Sequence, residues 1–241
     1  IVVVGGGSVG VELVGELVDL RKKLGRENDL KITLVHGKDT LLERLTPKMH
    51  RYVSKFMRNH KVNVLLNDRI IPGDDFDYAT SVDTSVIKSF KTQSGQELNG
   101  VTMVFWCINS AVRTSWIDNC GLALAEDGRV AVHANLQSTS HPNVFAVGDV
   151  NNYPCEKSGA EAHMQGEHLG AALLKVLSLG EDESAQYPEY KKMAKFAQNI
   201  SLGTKDGAFA LGSMIPMWGC IAAVLKSKIE YHIGVKPIKY P

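Results

Sequence analysis

The sequence lacks an excess of charge of either sign: 27 Lys and Arg stand against 26 Asp and Glu over 241 residues, a formal net charge of +1. A nucleic-acid surface draws on clustered cations, and nothing in this balance calls for one. Any uninterrupted apolar run long enough to span a bilayer is also absent. Only four cysteines occur, Cys107, Cys120, Cys155 and Cys220, and no two form a C-x-x-C pair. That spacing argues against a dithiol redox motif and a zinc cluster, so no metal site is expected; reduced thiols in an intracellular protein are. Cys107 lies in an apolar stretch and reads as a small core residue. An initiator methionine is missing too, and the first residue already belongs to a central strand. The expectation is a piece of a longer protein, with any signal peptide, lipidation site or upstream domain outside it.

What is present begins at once. Ile1-Val-Val-Val4 has the β-branched run of a buried strand, and Gly5, Gly7 and Gly10 follow at the G-x-G-x-x-G spacing. In such a turn Gly5 permits the sharp bend, Gly7 lets the backbone approach a pyrophosphate, and Gly10 lets the helix pack closely on the strand. Gly6, Ser8 and Val9 complete the loop, and the positive end of the helix then faces the phosphates. The pattern predicts a helix from about Val9 to Leu24, with Leu13, Leu17, Leu20 and Leu24 on one face and a stop near Gly25. Lys31–Val35 reads as the second strand of a right-handed, parallel βαβ unit. Its end carries His36-Gly37-Lys38, where an acid would bind the adenosine ribose hydroxyls of NAD. Without that acid a 2′-phosphate meets no repulsion; Lys38 and Arg44 can pair with it, or serve as solvated surface cations. The nicotinamide dinucleotide is therefore written NAD(P)H.

Further along, Thr46 to His60 predicts a helix with Met49, Val53, Phe56 and Met57 as core contacts, and Val62–Leu66 a strand. The acidic stretch holding Asp74, Asp75 and Asp77 lacks the ordered ligand spacing of a calcium loop and reads as a surface insertion. A hairpin turns around Ser94-Gly95, and Val101–Ile108 is a second buried strand whose end, Asn109, suits a left-handed backbone close to a cofactor. A second hairpin runs through Glu126-Asp-Gly-Arg129. Thr139-Ser-His-Pro-Asn-Val-Phe-Ala-Val-Gly148-Asp149 then ends an apolar strand in a carboxylate, at the edge where open α/β sheets bind ligands.

Taken together, these two motifs resemble the two-dinucleotide-binding-domain flavoprotein oxidoreductases, within them most closely the group of type II NADH dehydrogenases, apoptosis-inducing-factor-like proteins and ferroptosis suppressor protein. Thr139, Ala146, Gly148 and Asp149 match that family's T-x(5)-h-A-x-G-D segment, which closes on the flavin ribityl chain. Gly5 lies 144 positions before Asp149, room for one nucleotide domain. The resemblance thus makes Gly5–Gly10 the NAD(P)H motif, with the FAD motif upstream. The fold class implied is α/β: a Rossmann-like NAD(P)H-binding domain (1–110) inserted in an FAD-binding domain, whose C-terminal part is 111–180 and whose N-terminal half is missing. A small α+β C-terminal region (181–241) follows, facing quinone, membrane or a second subunit. The family's G-V-E-x-x-G-E helix start matches Glu12 and Glu16, and implies a place for Glu12 at the nicotinamide–flavin junction. Lys157 and the helix with Gln165 resemble the segment whose N-terminus faces the flavin pyrimidine. Ile200–Ala208 resembles the ferroptosis-suppressor pattern S-x-G-R-x-D-G, and Asn109 departs from the family's glycine, which bears on nicotinamide placement.

The function implied is FAD-dependent oxidation of NAD(P)H with a quinone as electron acceptor, an NAD(P)H:quinone oxidoreductase. Two rivals remain: a soluble ferredoxin or rubredoxin reductase, and a non-enzymatic nucleotide-sensing protein of the apoptosis-inducing-factor kind. His163 and His168 can donate a proton to reduced quinone or be ordinary surface or core residues. From Gln186 to Pro241 eight Lys and Arg face three Asp and Glu, and Met214, Met217, Trp218, Ile221, Val224 and Leu225 recur at helical spacing ahead of Lys226 and Lys228. This pattern suits an anionic membrane surface, the flavin domain or a homodimer partner. The expected location is cytoplasmic, peripheral on a membrane, lipid droplet or mitochondrial surface.

Overall fold

Val2, Val3 and Val4 form β1 (Val2–Val4), wholly buried because parallel strands cover both of its edges and helical or hairpin segments cover its faces. The computed structural model describes residues 1–43, 45–71, 88–108, 112–117, 119–155, 157–179, 187–192, 197–211 and 217–224. The chain separates into two compact units, Ile1–Asn109 with Lys195–Pro241, and Ser110–Ala194. Part of the region expected to stand as its own C-terminal element, 181–241, thus belongs to the first unit.

In the first unit α1 (Ser8–Lys23) leads to β2 (Thr33–Val35), and α2 (Pro47–Asn59) to β3 (Asn63–Leu65). With β7 (Val104–Trp106) these strands make a parallel sheet in the order β3-β2-β1-β7, in register at Val3↔Leu34 and Val3↔Phe105. This is the crossover order of a nucleotide-binding half-fold. Between β3 and β7 the chain lays down an antiparallel sheet, β4 (Ile70–Ile71), β5 (Lys88–Thr92) and β6 (Glu97–Val101). The hairpin expected around Ser94-Gly95 joins β5 to β6, with Gly95 at φ 90°. Asp68 anchors it by accepting from the Ser94 amide at 3.0 Å and the Ser94 hydroxyl at 2.7 Å. Burial pushes the Asp68 pKa up, but bonds from Ser94, Thr92 and the Arg69 amide outweigh it and bring it to about 2. The strand expected over Val101–Ile108 is split, because Val101 closes β6 and only Val104–Trp106 joins the parallel sheet. The acidic insertion around Asp74, Asp75 and Asp77 lies outside the described residues.

Helix α2 starts where Thr46 caps it, its hydroxyl accepting from the Met49 amide at 3.4 Å, with Pro47 in the first turn. Met49, Val53, Phe56 and Met57 are all buried, as their spacing predicts. Helix α1 differs from expectation. Gly10, Val11, Val14, Gly15, Leu17, Val18 and Arg21 are buried, whereas Leu20 and Leu24 are 46% and 59% exposed. The reason is a second neighbour: β8 (Ala197–Ser201) and β9 (Gly207–Leu211) form a hairpin that packs on α1, so Ile200, Leu202 and Ala208 share a core with Val11 and Val14.

The docking is close. A Cβ on Gly15 would lie 2.4 Å from the Gly203 nitrogen and 2.6 Å from the Leu202 carbonyl carbon. Asp19 accepts from both the amide and the hydroxyl of Thr204 at 2.7 Å, and Glu12 accepts from the Ser201 amide at 3.2 Å. On the other side Tyr52 of α2 donates to Asp206 at 2.7 Å and stacks on Trp218, ring centroids 5.6 Å apart. Met217 and Trp218 are not helical as expected but form β10 (Met217–Trp218), paired with Phe209 and Ala208. Gly219, at φ 77°, breaks the chain there, and helical residues run over 220–224.

The second unit holds a hairpin turn at Ala125–Arg129, closed by the Ala125 amide to Arg129 carbonyl bond of 2.7 Å, and α3 (Gly159–Leu179). Its core is Ile117, Val130 and Ala146, with Leu122, Val132 and Val150 packed against them. The segment expected to be a strand before Gly148 makes an isolated bridge, Gln137↔Phe145, and a short 3-10 turn starts at Gly148. All four cysteines are free.

Candidate functional site

In the first unit the glycine turn joins β1 to α1. Gly5 sits at φ 112°, and a Cβ there would lie 2.3 Å from the Cys107 carbonyl oxygen, just past the end of the neighbouring β7. A Cβ on Gly10 would lie 1.8 Å from the Gly5 carbonyl oxygen, so only glycine lets the helix approach this near. At Gly7 the picture reverses, since a Cβ would meet nothing within 4 Å. Gly7 is the N-cap residue of α1; no side chain caps the helix and no acid occurs in its first turn. Gly7, Ser8 and Val9 are exposed at the positive end of the helix, where an open space above Gly7 fits the pyrophosphate of a dinucleotide.

Gly6 has a role the spacing rule does not assign. A Cβ there would lie 2.5 Å from Leu41 Cδ2 and 2.7 Å from His36 Cγ. Its amide donates to His36 Nδ1 at 3.0 Å, and its carbonyl accepts from the Leu42 amide at 2.9 Å. The loop after β2 therefore closes over the turn, and His36 acts as a neutral acceptor. Its Nε2 stands 4.0 Å from Glu43, whose other oxygen is bound by Lys38 at 2.7 Å. Burial lowers the His36 pKa, with Glu43 opposing the shift and Lys38 adding to it. Because the folded value is depressed, this contribution to stability is complete above the free-imidazole value of about 6.5. It is lost as pH falls through the folded value. Urea melts from about pH 7 to 5 should show a steeper loss for the parent than for His36→Asn, whose amide oxygen keeps an acceptor without a titrating ring. A His36 ring resonance that titrates at or above the ordinary value would refute this.

Glu12, on the first turns of α1, is half-buried, and one oxygen accepts from the C-terminal hairpin. Arg44 and Asn109 lie outside the described residues.

In the second unit a buried polar network holds the Gly148-Asp149 turn. Gln165 is fully buried; its carbonyl oxygen accepts from the Gly148 amide and from Asn151 Nδ2, both at 2.8 Å, and its Nε2 donates to Cys155 Sγ at 3.2 Å. Asn151 also donates to the Ala146 carbonyl at 2.8 Å. Lys157 places all three ammonium protons, on the Asn151 carbonyl (2.8 Å), Asn151 Oδ1 (3.1 Å) and the Tyr153 carbonyl (3.0 Å). Lys157 and Gln165 are thus brought together, but on the turn itself, with no donor left over in this arrangement. Asp149 is exposed on top; Arg129 Nε binds its carbonyl oxygen at 2.9 Å, and its carboxylate has no partner among the described residues. Gly148 is at φ 76° and contacts Ala162 of α3.

Below the turn Tyr190 donates to the buried Glu161 at 2.8 Å, and burial together with that carboxylate pushes the Tyr190 pKa far up. His163 pairs with Glu167 at 3.3 Å, and His168 Nε2 lies 3.0 Å from the Pro188 carbonyl. Asn151 and Asp19 carry no motif in the sequence, and Asp206 stands out there only as the aspartate of the S-x-G-R-x-D-G pattern, with no sign of its partner Tyr52. Asn151 follows Gly148-Asp149 by two residues and was readable as a turn-stabilising side chain; the partners of Asp19 and Asp206 are too distant in the chain for any local signal.

Comparison with known proteins gives the family. Residues 1–166 match the family described as pyridine nucleotide-disulphide oxidoreductase. The chain is 32% identical over 234 residues to apoptosis-inducing factor homolog A of Dictyostelium discoideum, covering 94% of this chain and 56% of that protein. Identity is 31% to ferroptosis suppressor protein 1 of Xenopus laevis, over 86% of this chain and 52% of that protein. It is 29% to the type II NADH:quinone oxidoreductase of Staphylococcus aureus, over 95% and 56%. The chain therefore spans about half the length of these relatives. With a G-x-G-x-x-G turn on a parallel sheet and a match over most of its length, the chain belongs to the pyridine nucleotide-disulphide oxidoreductase family.

Proposed function

We propose that this chain supplies the NAD(P)H-binding domain and the C-terminal part of the FAD-binding domain of a flavin-dependent NAD(P)H:quinone oxidoreductase. The observation that carries the reading is the first turn of α1, uncapped, free of acids and open above Gly7. Its amides, from Ser8 to Gly10, bind the pyrophosphate of NAD(P)H, while His36 and Lys38 border the ribose at the end of β2. Asn109 and Glu12 border the nicotinamide. Asp149 accepts hydrogen bonds from the ribityl hydroxyls of FAD, and Lys157 and Gln165 keep its turn rigid. When bound, the two cofactors supply the redox chemistry, a hydride passing from nicotinamide to flavin and electrons then to the quinone. The similarity to the NADH:quinone oxidoreductase of Staphylococcus aureus supports quinone as acceptor.

A peripheral membrane contact belongs to the same reading. Trp218, Ile221 and Val224 are 44%, 60% and 55% exposed at the C-terminal turn, apolar groups that fit a lipid surface. No helix among the described residues is long and apolar enough to cross a membrane.

The test is the visible absorption spectrum of the full-length gene product under anaerobic conditions. Flavin bands that bleach with NADH or NADPH and return with a ubiquinone analogue are expected. A protein without flavin, or with flavin that neither donor reduces, sinks the reading. Reoxidation by ferredoxin or rubredoxin but not by the quinone would replace the acceptor.

A further inference from the structure

We propose that the guanidinium of Arg69 recognises the 2′-phosphate of the dinucleotide, so that this site takes NADPH in preference to NADH. The inference rests on the dinucleotide reading above and names which of the two cofactors it serves.

Arg69 is far from the glycine turn in sequence but is brought to the same sheet edge. β2 and β3 are parallel, and their carboxyl ends lie side by side: the His36 amide donates to the Leu65 carbonyl at 2.8 Å. Beyond the strands the two segments stay zipped. The Asn67 amide donates to the Lys38 carbonyl at 2.9 Å, and the Asp68 amide to the His36 carbonyl at 3.1 Å. The Arg69 backbone is pinned as well, its amide to Asp68 Oδ1 at 2.9 Å and its carbonyl to the Gln93 amide at 2.8 Å. From that anchor the side chain runs over Gly37. A Cβ at Gly37 would lie 2.7 Å from Arg69 Nε, 3.3 Å from Cγ and 3.5 Å from Cδ. Gly37 is the residue after the ribose-facing position of β2, so its missing side chain is what lets the guanidinium lie there.

Charge at this edge leaves Arg69 as the available cation among the described residues. Lys38 is held by Glu43 at 2.7 Å. His36 is a neutral acceptor for the Gly6 amide. Asp68 turns its carboxylate to Ser94 and to backbone amides. The Arg69 side chain is exposed and has neither a hydrogen bond nor an ion pair among the described residues. An unpaired guanidinium with a planar fork of donors matches a phosphate monoester, whereas a ribose hydroxyl offers it one weak acceptor. The residue after β2, where an acid would accept from a 2′-hydroxyl, is His36, and the Glu43 carboxylate beside it is paired with Lys38, so the edge favours NADPH over NADH.

The experiment is calorimetric titration of the full-length gene product with 2′,5′-ADP and with 5′-ADP, fragments that differ only in the 2′-phosphate. The parent should bind 2′,5′-ADP roughly tenfold more tightly, the gain of a charge-assisted bond. Arg69→Gln should bring the two ligands within about twofold of each other, by weakening 2′,5′-ADP alone. Arg69→Lys should retain part of the gap. Arg26→Gln, which removes a cation paired with Asp29, should leave the gap as it is. Because the Arg69 side chain is exposed, the variants should melt with the parent, and unchanged 5′-ADP binding confirms a formed site. Equal affinities in the parent, or a gap that survives Arg69→Gln, overturns the proposal while the dinucleotide reading stands. Failure of both fragments to bind overturns the two together.

Discussion

Replacing Gly15 by alanine should destabilise the first unit by about 2 kcal/mol or more, although glycine-to-alanine in a helix interior ordinarily stabilises by about 0.5–1 kcal/mol. Two effects of opposite sign compete here. The propensity gain is the same at any mid-helix position. Against it, the new methyl would lie 2.4–2.7 Å from backbone atoms of Leu202 and Gly203, which have no rotamer to change. The hairpin must move off α1, and the bonds from Ser201 to Glu12 and from Thr204 to Asp19 stretch with it. Gly170, inside α3, provides the matched control, because a Cβ there meets nothing within 4 Å. Gly170→Ala should therefore raise stability where Gly15→Ala lowers it. Urea melts of both variants, with amide exchange of α1 and the β8–β9 hairpin, would measure the contrast. A Gly15→Ala protein as stable as its parent would mean that the hairpin does not pack on α1 in solution.

The second large effect is expected at Gln165, where leucine keeps the volume and removes the polar end. Gly148 and Asn151 are buried, and each would lose the acceptor now 2.8 Å away. An unsatisfied buried donor costs about 1–3 kcal/mol, so the pair should cost roughly 3 kcal/mol in the second unit. The loss should reach function as well, since Asp149 is held by this turn and, among the described residues, not by bonds of its own carboxylate. The full-length gene product carrying Gln165→Leu should be purified with little or no flavin. Gln165→Glu separates the hydrogen bond from the shape of the side chain. Burial raises the pKa of that glutamate, so its stability deficit should shrink as pH falls and the carboxyl becomes neutral. A Gln165→Leu variant with parental stability and flavin content would refute this account of the turn.

These two sites also mark how far the sequence was readable. The glycine turn and α2 were legible because their causes are local: Gly5 holds a positive φ, Gly10 is required by the Gly5 carbonyl of the same turn, and Thr46-Pro47 caps a helix whose apolar spacing matches one buried face. The buried face of α1 was not legible. Val11, Val14 and Gly15 are covered by a hairpin some 190 positions away, and Leu20 and Leu24, which keep helical spacing, are left at the surface. Met217 and Trp218 misled in the same way, since pairing with β9 decides their conformation and periodicity does not register it. At the site, Lys157 and Gln165 were picked out from resemblance, but their direction, towards the Gly148 turn, came only with the fold. Arg69 carried no local signal, because Gly37 is what makes its place.

The hairpin on α1 also sets an order of events during synthesis. Glu12 and Ser201 are 189 residues apart, and Asp19 and Thr204 are 185 apart. α1 leaves the ribosome well before its covering hairpin, because nearly 190 residues separate the two. At about 5–20 residues per second, that face of Val11, Val14 and Gly15 waits for on the order of ten seconds or longer. The second unit, by contrast, is encoded as one uninterrupted stretch, Ser110–Ala194, so all of it has been synthesised before the hairpin emerges. The nascent chain thus carries an uncovered apolar helix face until the hairpin has been made, an interval in which exposed apolar surface favours aggregation. A stop codon just before residue 197 would leave that face permanently bare.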